Sequence, residues 1–186
     1  MGNVRTALFN WLFTRKSRGA FIVRVEDTDR QRYVEGAIQR ILESLIWLGL
    51  DWDEGPTEDG KGSRGPYSPY FQSQRLELYQ QAARELVEKG YAYYCYCTPA
   101  RLDAMRRRQA VESRPPGYDL HCRDLSPQER AREEETSSAR GVRFKVPSSG
   151  ETVVNDVLRG EVVWQNKLLD DFVILKSDGF PTYHLS

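Results

Sequence analysis

Hydrophobic positions near the start of the chain, MGNVRTALFNWLFTRKSRG, recur at helical spacing, with Val4, Leu8, Trp11 and Leu12 on one face. A β-branched run over residues 21–25 then reads as a buried strand, and it ends in a burst of charge, VRVEDTDR. Ile38, Ile41, Leu42, Leu45 and Leu48 return to helical spacing, with Gly49 placed as a stop. The stretch DEGPTEDGKGSRGPYSPY has turn chemistry and nothing with which to pack a core. SQRLELYQQAARELVEKG follows as an amphipathic helix closing at Gly90, and the apolar strand YAYYCYC comes directly after it. Helix, strand, acidic loop and helix in this order predict an α/β fold.

From residue 98 to about 140 the texture changes. Polar Arg- and Glu-rich helical fragments alternate with the breakers SRPPG and SSARG, which predicts an inserted subdomain. VRFKVP, ETVVNDVL and GEVVWQN read as short antiparallel strands with turns at 148–150 and at Gly160, and DDFVILKSDGFPTYHLS returns to a buried-strand pattern. A helix beginning at residue 3 and an end in mid-element predict a piece of a longer chain.

With 186 residues the chain can bury the core of one large or two small domains. Lys and Arg equal Asp and Glu at 27 each, so no overall field points to nucleic acid, and any basic surface must be local. No apolar run approaches a membrane-spanning length and no signal-peptide pattern opens the chain. Three clustered thiols suit a reducing compartment, so the expectation is a soluble, cytoplasmic protein without a membrane partner.

Four groups of residues carry candidate chemistry. Cys95 and Cys97, at i and i+2 on a strand, point the same way, and Cys122 follows beyond an Arg-rich segment and a Pro-Pro-Gly break. An odd number of cysteines is a poor disulfide framework; a metal site is favoured over three buried thiols. Arg24, Glu26, Asp27, Asp29 and Arg30 stand at the end of the first strand, where an α/β sheet places its ligands and a carboxylate can hold an ammonium group. The plain alternative is a capping cluster working through Thr28 or Asp29. Gly2 and Asn3, at the start of the first helix, leave backbone N–H groups open to a phosphate, although any core helix can begin so. Arg106, Arg107 and Arg108, with Arg101 and Arg114 nearby, suit either phosphate contacts or a solvated helix face.

GNVRTALFNWLFTR, RVEDTDR, LGLDWDEGP, QSQRLELY, YCYCT and DDFVILKSDGFPTYHL occur in order and together closely resemble the catalytic half of bacterial glutamyl-tRNA synthetases, a family of class I aminoacyl-tRNA synthetases. The resemblance covers nearly the whole chain. It implies a Rossmann-type parallel sheet in residues 1–97 and 169–186, interrupted over 98–168 by an α+β, zinc-containing insertion that grips the acceptor stem. It implies ligation of L-glutamate to the 3′ end of tRNA(Glu) through glutamyl-adenylate, with ATP and magnesium. Gly2 and Asn3 match the end of the ATP-binding His-x-Gly-x signature, Met1 falls on its second position, and its His would precede residue 1. The 186 residues alone are therefore expected to lack part of the ATP site and to be inactive. Glu26 matches the carboxylate that receives the substrate α-amino group. Tyr183 matches a substrate-contacting tyrosine, with His184 beside it. Cys95, Cys97 and Cys122 match a zinc site, structural because closed. Its fourth ligand is left between Asp124, two residues after Cys122, and Tyr118, the ligand position in a relative that glutamylates queuosine in tRNA(Asp). His121 is the most ordinary donor but adjoins Cys122. That queuosine-modifying activity and a non-catalytic tRNA-binding paralogue are the alternative functions.

Overall fold

The computed structural model of the chain describes residues 2–29, 34–137 and 140–186. Met1, Arg30 and the Ser138 and Ala139 of the SSARG breaker lie outside the described residues, as does the side chain of Asn3. The chain forms two compact units, Met1–Glu77 with Ser186, and Leu78–Leu185.

In the first unit, helix α1 (Gly2–Ser17) and helix α2 (Ala37–Trp47) enclose a small apolar core. Leu42 and Leu45 of α2 pack with Phe21, Leu50 and Trp52, and Ala7, Trp11, Val23 and Ile38 close around them. Fully burying side chains of this size stabilises by about 1.5–3 kcal/mol each. Gly49, at φ 70°, stops α2 as its sequence position predicts, with the Leu50 N–H donating to the Leu45 carbonyl at 2.9 Å. The predicted α1 face is corrected in part. Trp11 does turn inward, and its indole N–H donates to Asp51 Oδ1 at 3.0 Å, whereas Leu8 and Leu12 are 41% and 49% exposed. Phe9 and Phe13 are apolar too, so α1 is hydrophobic on several sides and periodicity cannot choose the buried one.

Residues 21–25 run parallel to two neighbours. Val23 N–H donates to the Glu54 carbonyl and Val25 N–H to the Tyr70 carbonyl, each at 2.9 Å. Each pairing is a single bridge, because Pro56 has no N–H to offer and Pro69 directly precedes Tyr70. The approach is close: a Cβ on Gly55, which sits at φ 144°, would meet the Val23 carbonyl oxygen at 2.6 Å. An extended Rossmann-type parallel sheet, expected from the resemblance, is not formed among the described residues. The run is also less buried than its β-branched composition predicts, with Phe21 inside and Ile22 48% exposed. Strand β1 (Gly55–Pro56) pairs antiparallel with β2 (Ser63–Arg64), and a 3-10 turn (Gln72–Arg75) leads into helix α3 (Leu76–Glu88).

The second unit is built on a three-stranded antiparallel sheet of order β3 (Ala92–Cys95), β4 (Gly141–Phe144), β7 (Val173–Leu175). Ala83 of α3 packs on it against Ala92, Val142 and Ile174. Between β3 and β4 come helices α4 (Pro99–Val111), capped by Thr98, and α5 (Pro127–Thr136), which carries a full capping box of Ser126 and Glu129. Between β4 and β7 comes the hairpin of β5 (Glu151–Asp156) and β6 (Gly160–Gln165), which is largely exposed on both faces. The units divide at Glu77/Leu78, inside α3, whereas the sequence predicts a boundary at 97/98. Pairing is the reason: β3 shares its sheet with β4 and β7, so the cysteine-bearing strand belongs with the later strands.

Candidate functional site

The first unit holds a cleft of about 1030 Å³ lined by α1, residues between 21 and 29, Val34 and α2, with Arg24, Glu26, Asp27 and Asp29 as its charged contributors. Two of these carboxylates have separable roles. Asp27 is structural: Ser73 donates to it from its backbone N–H at 2.8 Å and from its hydroxyl at 2.5 Å, which ties the strand end to the 3-10 turn. Glu26 projects into the open, its side chain 41% exposed, with Arg24 Nη2 2.7 Å from one oxygen and the Ser186 hydroxyl donating to the other at 3.0 Å. Neither Thr28 nor Asp29 caps α2, which begins at Ala37 behind Gly36. Within the charged burst Asp27 is thus tied to Ser73, whereas Glu26 is presented to the open. Gly2 and Asn3 form the first residues of α1.

In the second unit Tyr183 is 75% exposed and lies 4.3 Å, centroid to centroid, from His184, which in turn packs at 5.0 Å on Phe172. Tyr183 and Glu26 stand in different units.

The cysteine cluster lies wholly in the second unit. Cys95 ends β3, Cys97 precedes the cap of α4, and Cys122 comes from the turn after residues 113–120. All three are buried, and their sulfurs lie within 4.8 Å of one another, an arrangement that can hold a metal ion. Cys97 and Cys122 Sγ are 3.6 Å apart, and the Tyr118 hydroxyl is 3.5 Å from Cys95 Sγ and 3.4 Å from Cys97 Sγ. The Cys122 N–H donates to that same phenolic oxygen at 3.0 Å. Hydrogen bonds from the Cys122 and Cys97 thiols, opposed by burial and joined by Tyr118 and Arg143, hold Cys95 well below the ordinary thiol range. The same sulfur contacts together with burial push Cys97 up, and burial, followed by the sulfurs, pushes the Tyr118 phenol up.

Asp124 is not part of this cluster. Its carboxylate is exposed and takes Lys145 Nζ at 2.8 Å, which holds its pKa below the usual carboxylate range. His121 is exposed as well. Of the two candidate fourth donors, Tyr118 is at the sulfurs and Asp124 is elsewhere. The turn that brings Cys122 inward carries Asp124, two residues on, out to Lys145.

Other members of this environment escaped the sequence. Arg143 of β4 donates from Nε to Cys95 Sγ at 3.4 Å, Arg101 donates from Nη1 to Cys97 Sγ at 3.4 Å, and the Tyr96 N–H reaches Cys122 Sγ at 3.4 Å. Below them Asp171, 2% exposed, receives Arg123 at 2.7 Å, the Tyr93 hydroxyl at 2.8 Å and the Val146 N–H at 3.0 Å. Its position in the Asp-Asp-Phe run was a signal: a charge immediately before a buried strand needs a buried partner. By contrast Arg106, Arg107 and Arg108 are all exposed on α4, with Arg106 3.0 Å from Asp103. Arg114 pairs with Glu112 at 3.2 Å.

No helix among the described residues is long and apolar enough to cross a membrane. Residues 1–186 match the family profile described as tRNA synthetases class I (E and Q), catalytic domain. A glutamate–tRNA ligase of Dehalococcoides mccartyi is 57% identical over the whole of this chain, which covers 36% of that protein, and one of Borrelia duttonii is 50% identical over the whole chain and 36% of its own length. Among solved structures, a glutamate tRNA ligase from Elizabethkingia meningosepticum in complex with its amino acid superposes with a TM-score of 0.87 at 37% identity, over 99% of this chain and 37% of that one. The glutamate-tRNA synthetase of Elizabethkingia anophelis gives 0.88 at the same identity, over 99% and 38%. The chain thus spans a little over a third of the length of the relatives it matches. With its α/β fold and a match that runs from the first residue to the last, the chain belongs to the class I tRNA synthetases of the glutamate and glutamine type, as part of their catalytic domain.

Proposed function

We propose that this chain forms part of an enzyme that ligates L-glutamate to the 3′ end of tRNA(Glu) by way of glutamyl-adenylate, with ATP and magnesium as co-substrates. The observation that carries this reading is the presented carboxylate of Glu26 lining a cleft of about 1030 Å³, within a chain 57% identical to a glutamate–tRNA ligase. Glu26 would pair with the substrate ammonium, exchanging one charge-assisted contact, with the exposed Arg24, for another. The backbone N–H groups at the start of α1, with Gly2 and Asn3, would face ATP phosphate, favoured by the helix dipole. Tyr183 and His184 form an exposed aromatic pair suited to substrate contact. Arg106, Arg107 and Arg108 would meet acceptor-stem phosphates, adding affinity without sequence information.

The cysteine cluster is read as a structural zinc site with Tyr118 as its fourth ligand. A tetrahedral ion with Zn–S of about 2.3 Å and Zn–O of about 2.0 Å requires S···S edges of about 3.8 Å and S···O edges of about 3.5 Å. Three of the six edges match closely, 3.6 Å for Cys97 to Cys122 and 3.4–3.5 Å from the Tyr118 oxygen to two sulfurs, and all three sulfurs lie within 4.8 Å of one another, which supports the fit. The ion would cross-link β3, the start of α4 and the Cys122 turn, with no open position for chemistry. The segment it ties has little apolar core of its own, since α5 buries no residue.

The test is aminoacylation by the protein at the length of its relatives. Radiolabelled glutamate should be transferred to the terminal adenosine of tRNA(Glu) in an ATP-dependent reaction, and glutamine should not replace it. Transfer to the queuosine base of tRNA(Asp), or tRNA binding with no transfer, would overturn the assignment.

A further inference from the structure

Arg143 is 6% exposed, and among the described residues no carboxylate pairs with it. Its Nε donates to Cys95 Sγ at 3.4 Å, its Nη1 donates to the backbone carbonyl of Asp171 at 2.6 Å, and its guanidinium carbon lies 3.7 Å over the Tyr118 ring. The nearby acid, Asp171, spends its carboxylate on Arg123, Tyr93 and Val146. A buried guanidinium facing only sulfur, a carbonyl and an aromatic face is strongly unfavourable unless that sulfur and ring are themselves negative. Arg101, the second guanidinium at the cluster, is different: it is a third exposed and already pairs with Asp119 at 2.7 Å.

Resting on the metal reading above, we propose that Arg143 is the built-in counter-charge of the metal centre, a positioning residue that makes the three-sulfur, one-phenol set able to hold a divalent cation. Four anionic donors around one divalent ion leave two net negative charges in a buried place. Arg143 offsets one of them directly, through an N–H on the Cys95 sulfur and a cation over the Tyr118 ring. It is held there by the sheet. Arg143 stands opposite Tyr93 in the β3–β4 ladder and Cys95 opposite Gly141, so the two side chains are diagonal neighbours on one face. Metal occupancy is thereby coupled to the β3–β4–β7 sheet as well as to the loops that supply ligands. Arg101, shared with Asp119, contributes less.

The experiment measures zinc affinity and thermal midpoint together, on the protein at the length of its relatives. Zinc is competed against a chromophoric chelator, and melting is followed with zinc bound and after stripping. Arg143→Met should lower zinc affinity about 10- to 100-fold, the range for residues that support metal ligands, and Arg101→Met should lower it less. The melting midpoint should fall further for Arg143→Met with zinc bound than with zinc removed. Should the Met variant not fold, Arg143→Gln keeps a donor for the Asp171 carbonyl and drops the charge, and the same loss of affinity is expected. Unchanged affinity, or an equal fall in midpoint with and without zinc, assigns Arg143 an ordinary packing role and overturns the proposal. Wild-type protein that takes up no zinc overturns the metal reading itself, a separate result.

Discussion

The acidic strand end of the first unit and the cysteine cluster of the second begin from a similar sequence event, a β-rich run that finishes in polar residues. They end in opposite states. At 24–29 charges stand in an open cleft, with Glu26 paired with an exposed Arg24 and Asp27 tied to Ser73. At 95–122 the polar atoms are buried, and the sulfurs and the phenol face one another and two guanidiniums. The difference teaches where each site keeps its free energy. A buried polar cluster must satisfy its own charges or be filled, whereas an open one can leave them to water until a ligand arrives.

The sharpest way to break this contrast is to remove a sulfur. Cys97→Ser should abolish stoichiometric zinc, open the described residues between 98 and 137 to limited proteolysis, and weaken binding of an acceptor-stem minihelix, while the core around Leu42 and Trp52 stays protected. Metal-free wild-type protein with the same protease resistance would make the cluster three ordinary buried thiols. Next in size is the open site: Glu26→Gln should lower kcat/KM for glutamate about 10- to 100-fold, the worth of a hydrogen bond to a charged group, with no change in melting temperature. An unchanged kcat/KM would remove Glu26 from the ammonium site. Third, Tyr118→Phe should weaken zinc binding about tenfold or more, whereas Asp124→Asn should leave it unaltered; the reverse order would exchange the fourth ligand.

The smallest effect is in acid. Asp53 accepts the Phe21 N–H at 2.7 Å and pairs with Arg15 at 2.8 Å, and these contacts hold its pKa below 3.8. A carboxylate with a lowered folded pKa contributes stability that is present above its unfolded value and is lost as pH falls through the folded one. Asp53→Asn should therefore melt earlier than wild type at neutral pH, and the gap should close below about pH 3.8, the ordinary value for the group. A gap that persists there would mean that Asp53 acts through packing.

Much of this molecule is set by local sequence. Gly49 and Gly90 end their helices at positive φ, Ser126 and Glu129 form the capping box, and Gly160 closes the hairpin, because each depends on a few neighbouring residues and their backbone preferences. The three cysteines are likewise legible as a set, since their type and spacing leave few alternatives. Tertiary structure alone decided which face of α1 is buried, because Leu8, Phe9, Leu12 and Phe13 offer several apolar sides and only the position of the Trp52 core selects among them. It tied Asp27 down and left Glu26 open, which depends on Ser73 arriving across a contact far along the chain. It also put Tyr118 at the sulfurs and sent Asp124 to Lys145, and brought Arg143 over the phenol from a strand 48 residues beyond Cys95. Spacing in sequence specifies which side chains can be neighbours within a turn or a strand; which distant charge shares a buried volume depends on the strand register, and that exists only once the chain has folded.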